Sequence, residues 1–147
     1  MKKTIHSLLM AGALCAGMLD LNAADKPPGG PKGGRLLEKT EPNAEFTVEK
    51  DHSATIAFYD SALKPVPAEA QTVTVIANTG DNKVTVEFEK KGDILVSKSK
   101  LPEGDGYNLV LQLRQTPESK PQNFRFKLDL HPCGGCQRAE YACTCSH

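Results

Sequence analysis

The chain reads as an all-β protein, an antiparallel β-sandwich of immunoglobulin-like type with seven to eight strands and a Cys-rich C-terminal tail. Three observations predict this. Apolar residues alternate with polar ones at period two, run after run. Gly, Pro and Asx clusters separate the runs at regular intervals. No window places apolar residues at i, i+3, i+4 and i+7 over three turns, so almost no helix is expected.

The runs follow in order. Phe46 and Val48 alternate with Glu45, Thr47 and Glu49, and Ile56 and Phe58 with Thr55 and Ala57. Val73 and Val75 sit between Thr72, Thr74 and Ile76. Val84, Val86 and Phe88 alternate with Lys83, Thr85, Glu87 and Glu89. Leu109, Leu111 and Leu113 form one set, and Phe124, Phe126, Leu128 and Leu130 another. Two shorter candidates lie over 34–38 and 93–97. Such alternation marks strands with one buried and one wet face. Two inner faces would then share a core of Val, Leu, Ile and Phe. The Cys…Trp…Cys pattern of antibody domains is absent, since the chain has no Trp.

With 147 residues the chain has room for one compact domain. Lys and Arg total 18, as do Asp and Glu, so the formal net charge is zero. A nucleic-acid binder would show a basic excess, so no nucleic-acid partner is expected. Lys2 and Lys3 precede an apolar stretch over 5–19, and Leu21-Asn22-Ala23 offers a small residue for cleavage. This is the layout of a secretory signal peptide over 1–23. The stretch is shorter than the roughly 20 apolar residues a span needs, so no membrane association is expected after cleavage. Cys15 would leave with the signal, because Gly12 and Leu14 do not fit a lipidation box. The expected location is periplasmic or secreted, a compartment that permits disulfides. Residues 24–33 are rich in Pro and Gly and read as a flexible leader. The β-sandwich domain is assigned to 34–130 and the tail to 131–147.

All four remaining cysteines lie in that tail, spaced C-x2-C-x6-C-x-C-x-H: Cys133, Cys136, Cys143, Cys145 and His147. His131 stands two residues before the first. Two glycines between Cys133 and Cys136 would let the chain curl, and the sulfurs of Cys143-Thr-Cys145 would share one side of an extended chain. Four thiolates so gathered suit Zn²⁺ or Cu(I), with His147, ahead of His131, as substitute ligand or neighbour. A site at the chain end, outside the core, points to sequestration, delivery or a small docking knob. The same four cysteines could instead form two disulfides, leaving a structural protein that binds an exported partner through a sheet face or edge. Redox chemistry at Cys133-Gly-Gly-Cys136 is the third alternative, though the strand–helix setting of thiol oxidoreductases is missing. His52, beside Asp51, reads as a solvated turn residue; Asp105 reads as a turn residue and Glu87/Glu89 as a wet strand face. No triad is apparent, and the expected function is non-enzymatic.

These residues carry a resemblance. Gly33-Gly34-Arg35, the segment 58–66 and the Cys133–His147 tail resemble a group of small exported bacterial β-sandwich proteins that close with a Cys-x-x-Cys…Tyr-Ala-Cys-x-Cys-x-His tail. The group brings no assigned activity with it. The start, Pro31-Lys32-Gly33-Gly34, is more loosely similar to periplasmic domains associated with heavy-metal efflux adaptors, which open Pro-His-Gly-Gly. Lys32 stands where that His would be. The second resemblance implies contact with a heavy metal without saying which.

Overall fold

A computed structural model describes residues 28–146. The segment 1–23 read as a signal peptide, with Cys15, the first part of the segment read as a leader, and His147 lie outside the described residues.

Nine strands form among the described residues: β1 (Arg35–Leu37), β2 (Asn43–Val48), β3 (Ala54–Tyr59), β4 (Pro65–Val66), β5 (Thr72–Thr79), β6 (Asn82–Lys91), β7 (Ile94–Ser97), β8 (Tyr107–Arg114) and β9 (Gln122–Leu128). Every run read from the alternation is a strand, and the two-residue β4 is the one addition. A single 3₁₀ turn, Glu140–Ala142, is the only helical element among the described residues. All pairings are antiparallel, and the strands follow one path, β1-β2-β3-β7-β6-β5-β8-β9, with β4 beside β3.

The long strand β6 joins the two layers. Asn82–Glu87 pairs with β5, whereas Phe88–Lys91 pairs with β7. One sheet therefore turns a corner along β6 and nearly closes into a barrel-like shape. Side chains of the two ends meet across the remaining seam. The Arg35 guanidinium of β1 lies 4.7 Å over the Phe126 ring of β9. Gln122 Nε2 donates to the Lys39 carbonyl at 2.9 Å.

Inside lie Phe46, Ile56, Phe58, Val75, Val86, Leu109, Leu111, Leu113 and Leu128, all fully buried. Burial of such side chains contributes on the order of 1.5–3 kcal/mol each. Period two fails on β3, where all six residues are buried. The strand is central, and its outer face is covered as well. The Pro/Gly segment read as a leader folds back there, with Gly30 buried. The Gly33 amide donates to the Gly30 carbonyl at 3.1 Å, closing a tight turn. Beneath that turn the fully buried Glu45 carboxylate accepts from Lys32 N (3.0 and 3.1 Å), Gly34 N (2.7 Å) and the Tyr59 hydroxyl (2.7 Å). A buried charge persists only when hydrogen-bonded, and here three backbone and side-chain donors converge on it.

Candidate metal centre

The tail begins where β9 leaves its ladder. Beyond Leu128 the chain leaves the sheet through Asp129 and Leu130 and bends at His131, and Pro132 bridges to Ala139 to make a tight loop that holds the first cysteine pair. Cys133 N donates to the Arg138 carbonyl at 2.7 Å, and Gln137 N to the Cys133 carbonyl at 3.0 Å. The left-handed residue of this loop is Gln137, at φ 62°. The glycines thus serve a different purpose from the one expected. A Cβ on Gly135 would stand 2.8 Å from the Cys145 sulfur, whereas one on Gly134 would meet nothing within 4 Å. Gly135 is small so that the second pair can close over it.

The 3₁₀ turn delivers that second pair. Tyr141 N donates to the Asp129 carbonyl (3.0 Å) and Cys143 N to the Glu140 carbonyl (3.2 Å). Cys143 then re-enters the extended region at φ −65°, ψ 137°, and Cys145 N points at the Cys143 sulfur, 3.3 Å away.

The structure brings Cys133, Cys136, Cys143 and Cys145 together, with all four Sγ atoms within 4.8 Å of one another. Cys133 and Cys143 are buried, and Cys136 and Cys145 are half-buried. No disulfide joins any of the four. The Sγ–Sγ separation is 3.8 Å for Cys133–Cys145 and 3.2 Å for Cys143–Cys133. A tetrahedron with Zn–S bonds of ~2.3 Å has edges of about 3.8 Å, so the cluster approximates the spacing of a closed four-sulfur site. Such a group could hold a metal ion.

The electrostatics are uneven. Backbone N–H groups of Thr144 and then Arg138 hold the Cys136 thiol down at about 6. Hydrogen bonding to Cys136, together with burial, pushes Cys145 up to about 12. Cys143 is raised by its contact with Cys133 and by burial. One thiolate is thus favoured and discourages the others. A soft cation reverses that order, since each thiolate it binds becomes more stable and a proton leaves.

The site is not outside the core, contrary to the expectation from its place at the chain end. Tyr141 and Ala142, between the pairs, belong to the main core cluster. The Tyr141 ring meets Phe46 edge-on at 5.9 Å and stacks on Phe126 at 6.4 Å. Arg35 Nη1 donates to the Tyr141 carbonyl at 3.1 Å. The alternation rules of strands carry no signal for such an anchor. A lone aromatic between two cysteine pairs is the available hint.

The tail also grips the folded-back N-terminal turn. Arg138 Nη1 donates to the Gly30 carbonyl at 3.0 Å. A Cβ on Gly29 would lie 2.7 Å from the Arg138 guanidinium and 2.9 Å from the Thr144 methyl.

His131, weighed as a spare ligand, is not part of the sulfur group. Its Nδ1 lies 3.0 Å from Asp129 Oδ1 and 3.1 Å from Asp105 Oδ2. His52 is half-buried at φ 65°, with its carbonyl accepting from Leu101 N at 2.8 Å. Glu87 pairs with Lys98 at 3.0 Å and Glu89 with Lys91 at 3.1 Å, all exposed, as a wet strand face requires.

No protein-family model matches the chain, no curated protein matches it, and no solved structure matches its fold. Function therefore rests on the geometry of the cysteine cluster.

Proposed function

We propose that this is an exported, non-enzymatic metal-binding protein whose four C-terminal cysteines hold one soft ion, Zn²⁺ in the first place and Cu(I) as the alternative. The observation that carries the reading is the convergence of four sulfurs within 4.8 Å without a disulfide among them. Sulfur-only sites select soft or borderline ions, and a closed tetrahedral set leaves no open position for substrate. That geometry favours a binding role over catalysis. Among sequestration, delivery and local structure, the position of Tyr141 favours local structure, because an ion held by the flanking pairs would keep that ring in the core. Lys2, Lys3 and the apolar stretch after them support export to the periplasm or beyond.

The competing reading is a disulfide-locked tail. The 3.2 Å separation of the Cys133 and Cys143 sulfurs favours that pair as its first bridge. A native mass spectrum of the chain exported from cells and purified without chelator or reductant decides between the two. One added metal mass supports the thiolate site and names the ion. A metal-free mass lower by the hydrogens of two disulfides overturns it.

A further inference from the structure

Among the described residues outside the sulfur cluster, one other group of side chains converges with ligand geometry. Asp105, from the loop before β8, faces Asp129 and His131 just past the end of β9. One oxygen from each carboxylate and the His131 Nδ1 lie within 4.8 Å of one another. Two backbone amides hold the carboxylates in place: Leu130 N donates to Asp105 Oδ2 and His131 N to Asp129 Oδ1, each at 3.1 Å. The two nitrogen–oxygen separations, 3.0 and 3.1 Å, are hydrogen-bond contacts of the imidazole with the carboxylates, and they also lie close to the edge of an octahedron with bonds of ~2.1 Å, about 3.0 Å.

We propose that Asp105, Asp129 and His131 form a second, separate cation site that takes a hydrated divalent ion of the nitrogen- and oxygen-preferring class, such as Mn²⁺ or Ni²⁺. One imidazole and two carboxylates are a hard-to-borderline set, unlike the sulfur cluster, so the two sites select different ions. Three protein ligands leave the rest of an octahedron to water. His131 and Asp105 are exposed, and Asp105 also lines an open cleft of about 410 Å³ with Asn78, Glu103 and Asn108, which leaves room for that hydration. The anchoring of both carboxylates by backbone amides is the support from neighbouring groups that a ligand set requires. Its likeness to a simple His–carboxylate pair is broken by the third group. A single Nδ1–H can satisfy one carboxylate well, and here two oxygens compete for it.

Mn²⁺ is the probe, because thiolates bind it weakly and its paramagnetism reports position. The full chain is titrated while amide signals are followed, in parallel with a Cys143→Ser chain that cannot complete the sulfur site. Saturable broadening centred on Leu130, His131 and Gly106 in both chains is the expected result. Asp105→Asn and His131→Asn should each weaken it at least about tenfold. Broadening spread over exposed acids at the other end of the strands, such as Glu69 and Glu118, or broadening indifferent to His131→Asn, overturns the proposal. Loss of the sulfur site in the Cys143→Ser chain leaves either outcome readable.

Discussion

The hydroxyl oxygen of Tyr141, which stands between the two cysteine pairs, accepts a hydrogen bond from the backbone N–H of Val48 at 3.0 Å. This contact links the ligand-bearing tail to β2, 93 residues earlier in the chain. It makes the tail part of the sheet's packing. Tyr141→Phe should cost about 1–3 kcal/mol by leaving the Val48 amide without its acceptor. Tyr141→Ala should cost about 3–5 kcal/mol through loss of the ring from the core. Urea denaturation checks both, and a competitive zinc titration on the same variants should show weakened metal retention for Tyr141→Ala.

Gly134 and Gly135 are neighbours with opposite tolerances. Gly135→Ala drives a methyl toward the Cys145 sulfur and should weaken metal binding by on the order of tenfold or more. Gly134→Ala meets open space and should bind as the parent chain does. Competition against a chromophoric zinc chelator compares the pair. Equal losses in both would mean that loop flexibility matters more than the sulfur contact.

Metal removal should loosen a distant peptide. Arg138 and Thr144, in the two cysteine loops, clasp Gly29 and Gly30, and the turn after them places Lys32 over Glu45. Chelation, or Cys133→Ser, should speed tryptic cleavage after Lys32, followed by mass spectrometry. Arg138→Ala should do the same with the ion still bound. Cleavage at an unchanged rate in all three would show that the turn is held by neither the metal nor the Arg138 contact.

The buried Glu45 sets a second test. Glu45→Ala leaves the Tyr59 hydroxyl and the Lys32 and Gly34 amides without their acceptor, for a loss of about 3–5 kcal/mol. Tyr59→Phe, which removes one donor and leaves the backbone pair, should cost about 1–2 kcal/mol. Thermal unfolding of the two variants gives the ranking, and the reverse order would place the main support of this turn elsewhere.

Alkaline titration reads the same region. Burial raises all three tyrosines above their ordinary 10.0, and the Glu45 hydrogen bond raises Tyr59 further. A folded-state value above the unfolded one adds stability in full below pH 10.0. That stability is lost as pH climbs through the folded values. With three Tyr and no Trp, ultraviolet absorbance follows tyrosinate alone. Phenolate should appear late and together with loss of the β-sheet circular dichroism signal. An early, independent phenolate step would place a tyrosine in solvent.

What the sequence determined by itself was local. Period-two alternation located six of the nine strands among the described residues, because a strand with one wet face writes its burial into every second residue, and two short apolar runs located β1 and β7. The spacing of the tail identified the four cysteines that converge, because a short chain can bring nearby pairs to one point without help from the fold. The tertiary structure decided the rest. Whether Glu45 faces water depends on a turn of Pro and Gly folding over it from outside the strand. Tyr141 enters the core because β9 brings the tail back across β2, and Asp105 meets His131 because the loop before β8 ends beside the exit of β9. Each is a contact between residues far apart in sequence, set by strand register and closure, and neither spacing nor periodicity along the chain encodes it.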